Sequence, residues 1–250
     1  MVLVNSLGTD LSLWDPIIDA LSVDRDILRY DARGHGQTPD PGDPYLLDDL
    51  VADLVSLLDE ERIERAHFAG ISIGGMTILR LAQLHPERVR SIAPACCAAH
   101  LPHDEWVARA QLVRDGGVAA ISDVVMTRWF TESARKSDPD PTEPYRAMLL
   151  RTDSRSYSAA CEALANLDIR QGLAAISVPT VVVSADADVA TPPWMQREIA
   201  DAIPGSRLVS LDHAGHIAIA EGGAQLSAIL VEHARQADRD AVGAGAVGAS

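Results

Sequence analysis

Apolar residues along this chain come in short runs that alternate with longer stretches of helical periodicity. The runs VLV at 2–4, DILRY at 26–30, AHFAG at 66–70, TVVVSA at 180–185 and RLVSL at 207–211 each have the length of a strand. Between the second and third runs, Leu47, Leu50, Val51, Leu54, Leu57 and Leu58 recur at steps of three and four, on one face of a helix. Strand and helix in alternation predict an α/β class, a mainly parallel central sheet flanked by helices on both faces. A weaker strand is expected over Val89–Ala95, although Pro94 has no N–H to give a ladder and sits awkwardly in a central strand.

From 99 to 168 the rhythm changes to helical segments broken by SDPDPTEP, with no convincing strand. In an alternating chain such an insertion predicts a helical cap over the strand ends. Trp106, Trp129, Tyr145, Tyr157 and several arginines lie in it, and they either line a pocket or form the cap's own small core. The core of the protein is then assigned to 1–98 and 169–236. The closing stretch, 237–250, ends in AVGAGAVGAS, offers little to bury and is expected to be a disordered tail.

Composition narrows the setting. At 250 residues, 47% of them apolar, the chain can build one large α/β domain or two small ones. A formal net charge of -15 sets it against nucleic acid and anionic membrane surfaces as partners, so an anionic ligand needs a local cationic pocket. Of three cysteines, Cys96 and Cys97 are adjacent and poorly placed to bridge each other, and no His/Cys spacing suits zinc. They read as buried thiols in a reducing compartment. MVLVNSLGTD lacks the basic and long apolar regions of an export signal, and no apolar run reaches membrane-spanning length. A soluble, cytoplasmic protein is expected.

The stretch FAGISIGGM at 68–76 carries the candidate chemistry. A strand that turns sharply into a helix with Ser72 at the corner forces that residue into a strained conformation, and only small neighbours such as Gly70 and Gly74 leave room for it. The helix N-terminus behind it favours negative charge, with the Ile73 N–H among the donors available to an oxyanion. G-x-S-x-G alone arises by chance fairly often, so partners decide. A serine needs a base, and the base an orienting carboxylate, in the chain order Ser, Asp or Glu, His. Asp186 and Asp188 follow the run at 180–185, and His213 and His216 follow the run at 207–211, all at the sheet edge that carries Ser72. Periodicity does not choose within either pair.

Taken together, NSLGTDLSLWDP, LRYDARGHGQT, IERAHFAGISIGGM, HPERVRSI, RWFTE, DADVATPP and the later AGH resemble the α/β-hydrolase fold and, within it, the 3-oxoadipate enol-lactonases of aromatic-acid catabolism. The resemblance runs through most of the chain. It implies Ser72 as nucleophile, Asp188 as acid and His216 as base, with the backbone N–H groups of Leu7 and Ile73 as the oxyanion hole. It further implies a small lactone substrate carrying a carboxylate, hydrolysed with no metal or organic cofactor. That carboxylate needs a positive group in an acidic protein, and Arg33 and Arg128, the latter beside Trp129, are the candidates, with a structural role the alternative for each. Two features depart from the family: the residues that form its first two strands do not precede NSLG, so either the start is misplaced or the sheet lacks its first hairpin, in which case DILRY becomes an exposed edge, and APACCAA stands where an aliphatic strand is usual. The alternatives to a lactonase are another carboxylic-ester or carbon–carbon bond serine hydrolase of the same fold, or a catalytically weak ligand-binding member.

Overall fold

The computed structural model describes residues 1–40, 42, 44–137 and 140–247. Six parallel strands form one sheet: β1 (Val2–Val4), β2 (Leu28–Arg29), β3 (Ala66–Ile71), β4 (Val89–Ala95), β5 (Val181–Ala185) and β6 (Arg207–Leu211), in the order β2-β1-β3-β4-β5-β6. All the expected strands form, and β2 lies at the sheet edge. The first crossover, through a 3-10 turn and α1 (Ile18–Leu21), leads outward from β1 to β2, whereas every later strand is added on the other side of β1. The loops leaving β1 and β3 therefore diverge, and a crevice opens between them at the carboxyl edge of the sheet.

Helices cover both faces. On one lie α2 (Leu47–Glu60), α3 (Ile73–Leu84) and α9 (Pro193–Ala202), and on the other α1 packs with α10 (Ala218–Val247). The leucine stripe of α2 is buried as its spacing predicts, except that Leu57 is half-buried. The Asp49 carboxylate accepts from the Leu46 N–H at 2.7 Å and caps that helix. From 99 to 168 the regular elements among the described residues are helices, α4 (His103–Gly116), α5 (Ser122–Trp129), α6 (Glu132–Arg135), α7 (Glu143–Arg151) and α8 (Ser154–Ala165), with one antiparallel bridge from His100 to Asp168 where the segment begins and ends. Trp129 and Tyr157 lie against Gly8, within the loop after β1.

Pro94 finds its explanation in the ladder. Ile92 N–H donates to the Pro179 carbonyl and Cys96 N–H to the Val183 carbonyl, and the donor missing at Pro94 falls between them. The ladder from β4 to β5 is correspondingly thin, with Ala95 opposite Val183 and a lone bridge from Ile92 to Thr180. On its other side β4 keeps continuous register with β3 from His67 opposite Ser91 to Ile71 opposite Ala95.

The expected disordered tail is corrected over most of its length. Helix α10 interrupts its own geometry at Gly222 and then continues to Val247, while 248–250 lie outside the described residues. Alanine supplies helix propensity there, and tertiary contacts hold the segment. Ala237 is buried, and the Asp238 carboxylate takes the His67 Nε2–H at 3.0 Å while His67 Nδ1 accepts from the Ser91 hydroxyl at 2.9 Å.

Candidate active site

Ser72 links β3 to α3 with φ 56 and ψ -121, a left-handed conformation that costs a residue with a side chain about 1–3 kcal/mol. The surrounding hydrogen bonds hold it: its N–H donates to the Ala95 carbonyl and its carbonyl accepts from the Met76 N–H, both at 3.0 Å. The neighbouring glycines serve close approach. A Cβ on Gly70 would lie 2.4 Å from the Gly74 carbonyl oxygen, and one on Gly74 would lie 2.3 Å from that of Val4. Strand β1 and its loop therefore come directly against the start of α3.

That contact brings Leu7 beside Ile73. Among the described residues no acceptor takes the N–H of either. Gly8, at φ 75, turns the loop, and its N–H donates to His35 Nε2 at 3.0 Å. Because Nε2 accepts, the ring proton sits on Nδ1 and donates to the Arg33 carbonyl, also at 3.0 Å. Burial lowers the pKa of His35 below the ordinary histidine value and keeps the ring neutral for this task. The sequence LRYDARGHGQT was legible as a family stretch, yet its histidine gave no sign of bracing the loop after β1.

The structure resolves the two pairs left open by periodicity. Asp188 and His216 are both buried, and His216 Nδ1 donates to Asp188 Oδ2 at 2.9 Å. Asp186 and His213 are exposed, with Asp186 accepting from the Ala214 N–H at 3.2 Å. Asp188 Oδ1 also takes the N–H groups of Ala190 and Thr191 at 2.8 and 2.9 Å, and Oδ2 takes the Thr191 hydroxyl at 2.8 Å. Burial alone would raise its pKa; the His216 ring and the Thr191 donors outweigh that and hold it below the usual carboxylate value. Thr191 was not singled out from the sequence, although Asp followed three residues later by Thr is a turn signal. The His216 loop is anchored in turn by Glu221, which accepts the Gly215 N–H at 3.0 Å, and by Ile217 N–H on the Trp129 carbonyl at 3.1 Å.

Ser72 and His216 face one cavity of about 30 Å³, whose walls include Leu7, Trp106, Arg109, Arg128, Trp129 and Tyr157. Among the described residues the two side chains are not hydrogen-bonded to each other, a contact that often tightens only when substrate binds. Arg128 and Trp129 thus stand where expected. Arg33 does not, because both prongs of its guanidinium go to Asp53 at 2.6 Å and its plane lies over Tyr45. It braces a loop away from the cavity, and its assignment to substrate is withdrawn. The arginine that sequence reasoning missed is Arg109, one helical turn after Trp106 on α4. Tyr145 packs on Phe130 with ring centroids 5.3 Å apart, in the core of the helical segment.

A parallel sheet with a strained serine corner, a buried Asp–His pair and unclaimed backbone donors at one edge is the arrangement of the alpha/beta hydrolase fold. The chain belongs to the alpha/beta hydrolase family, whose profile matches residues 1–228, and the protein is a hydrolase. It is similar to 3-oxoadipate enol-lactonase 2 of Acinetobacter baylyi, 38% identical over 192 residues that make up 76% of this chain and 72% of that protein. The crystal structure of the enol-lactonase from Burkholderia xenovorans LB400 superposes with a TM-score of 0.90 at 39% identity, covering 93% of this chain and 89% of that one. A thermophilic esterase from Thermogutta terrifontis, with a TM-score of 0.89 at 23% identity, covers 94% of this chain and 89% of its own and shares the fold.

Proposed function

We propose that the protein hydrolyses 3-oxoadipate enol-lactone to 3-oxoadipate through an acyl-enzyme on Ser72. The observation that carries this reading is that Ser72, held at φ 56, shares one cavity with His216, whose ring is oriented by buried Asp188. His216 Nε2 takes the hydroxyl proton as Ser72 Oγ attacks the lactone carbonyl. The N–H groups of Leu7 and Ile73 hold the oxyanion, and ionised Asp188 stabilises the imidazolium. The ring carbon–oxygen bond breaks, the leaving enolate takes its proton from His216, and tautomerisation to the ketone removes it as a competing nucleophile. Water activated by His216 then attacks the acyl-serine and releases the diacid. The similarity to named enol-lactonases favours the lactone over a simple ester, and with it a place in the β-ketoadipate pathway of aromatic catabolism and a cytoplasmic address.

The test is ultraviolet-monitored turnover of the enol-lactone by the purified protein beside its Ser72→Ala variant. Turnover that falls roughly 10⁴-fold or more in the variant is the expected result. A folded protein that hydrolyses p-nitrophenyl esters through Ser72 while leaving the lactone intact points to the esterase alternative.

A further inference from the structure

The loop after β1 reverses within four residues. Ser6, Leu7, Gly8 and Thr9 form a β-turn closed by Thr9 N–H on the Ser6 carbonyl at 3.2 Å, and Gly8, third in the turn, has the positive φ of 75 that a type II turn requires. A second bond reinforces the closure. The Thr9 hydroxyl donates to the same Ser6 oxygen at 2.7 Å, the shorter of the two contacts. Both residues are buried, so water does not compete for that oxygen.

The Ser6 carbonyl belongs to the peptide unit whose N–H is that of Leu7. A trans peptide is planar, with its C=O and N–H pointing in opposite directions, so holding the one aims the other. With the Ser6 oxygen turned toward Thr9, the Leu7 N–H faces away from it. Leu7 walls the cavity together with Ser72 and His216, and Thr9 is not among the residues that do. The peptide on the other side of Leu7 is held separately, by Gly8 N–H on His35 Nε2 at 3.0 Å. A rotation of the Ser6–Leu7 unit that withdrew the Leu7 N–H would therefore have to break both bonds from Thr9. Roughly a third to a half of turns lack the backbone bond altogether, so that bond alone is a weak lock. The hydroxyl makes it a firm one.

We propose that Thr9 is a positioning residue for the oxyanion hole: its hydroxyl holds the Ser6 carbonyl and thereby fixes the Leu7 N–H before substrate binds. This role rests on the serine-hydrolase reading and the Leu7 donor given above, and names what sets that donor in place. A preset donor needs no reorganisation as charge develops on the attacked carbonyl. Because the oxyanion exists only during attack, loss of the hydroxyl lowers kcat and leaves KM nearly unchanged.

Thr9→Val removes the hydroxyl with little change of shape and keeps the backbone N–H. Its kcat on p-nitrophenyl butyrate is expected to fall about tenfold, short of the roughly 10²–10³-fold loss when an oxyanion donor is removed outright. KM should stay within about twofold, and Thr9→Ser should recover most of the rate. The second readout is the amide resonance of Leu7 in isotope-labelled protein. Ser72 Oγ adds to the carbonyl of a short alkyl trifluoromethyl ketone, its proton passes to His216, and the resulting oxyanion should move that resonance downfield in the wild type and less in Thr9→Val. A merely structural role would lower the Tm of Thr9→Val while leaving kcat and the amide shift as in the wild type, and that result overturns the assignment. So does an equal loss of kcat in Thr9→Ser. A Leu7 resonance that moves alike in both proteins refutes the role of Thr9 alone, whereas one that stays still in the wild-type adduct refutes Leu7 as donor and this role with it. A wild type that neither forms the adduct nor hydrolyses esters refutes the serine-hydrolase reading on which both depend. If Thr9→Val does not fold, Thr9→Cys, whose thiol is a weak donor, decides by the same measurements.

Discussion

At the level of single residues, the site depends on atoms that are missing as much as on those present. Gly74 has no positive φ; it is required because the carbonyl oxygens of Val4 and Asn5 occupy the space a Cβ would take, at 2.3 and 2.6 Å. Both oxygens are backbone, so relief comes only by moving the loop that carries Leu7. Gly74→Ala is therefore expected to cost roughly 1–3 kcal/mol in stability and, on the proposed role of the Leu7 N–H in the oxyanion hole, to lower kcat more than it raises KM. Calorimetry and steady-state kinetics on one preparation check both halves; a variant with native kcat would mean the oxyanion loop is not seated on α3. The motif G-x-S-x-G was legible as a nucleophile corner, and the structure supplies the spatial reason for its glycines. Thr191, which holds Asp188, and His35, which holds the loop after β1, were not legible; His35 acts across 27 residues of sequence.

Among the elements, the inner strands could be read as short apolar runs because β1, β3 and β5 are buried on both faces, and α2 from its period because one face meets the core. Three things could not. Pro94 is tolerated where the ladder from β4 to β5 thins, a property of the neighbouring strand and not of its own sequence. Arg109 and Trp106 enter the cavity because α4 packs on α8, whereas an isolated helical pattern does not say which side meets the site. Small residues at 237–247 suggested disorder, yet Asp238 closes a relay with His67 and Ser91 that joins α10 to β3 and β4. Asp238→Ala leaves the His67 donor without an acceptor and is expected to cost about 1 kcal/mol. Limited proteolysis should then cut within 237–247 at lower protease concentration than in the wild type, with ester hydrolysis by Ser72 still measurable; native resistance would show that the helix needs no such tie. The narrow cavity, about 30 Å³, has room for a water or two. On the proposed function, entry of a lactone requires α4, α5 or α8 to yield.

For the whole molecule, pH dependence follows from buried histidines. Burial lowers the pKa of His35 and His67, and that of His233 falls to about 4, again chiefly through burial, with its Nε2 unpartnered among the described residues. In the unfolded chain each titrates near the ordinary value of about 6.5, so below that pH the unfolded state binds more protons than the folded one. Their contribution is complete above about 6.5 and is lost as pH falls toward the folded values, by up to about 1.4 kcal/mol per pH unit for each group inside its window. The Tm should drop between pH 6.5 and 4, and His233→Phe should flatten that drop; an equal slope in the variant would place the acid sensitivity elsewhere. The net charge of -15 was legible as a barrier to anionic ligands. That Arg109 lines the cavity of Ser72 was not, because it depends on how the helical segment packs over the sheet edge.

The central claim is that Ser72, His216 and Asp188 open a lactone ring. Single-turnover and steady-state rates on 3-oxoadipate enol-lactone, for the wild type and Ser72→Ala, test it most directly. The account predicts saturable turnover with stoichiometric formation of 3-oxoadipate and its loss by roughly 10⁴-fold in the variant. Equal rates for both proteins, or no turnover by a wild type that folds and hydrolyses neutral esters through Ser72, would contradict it.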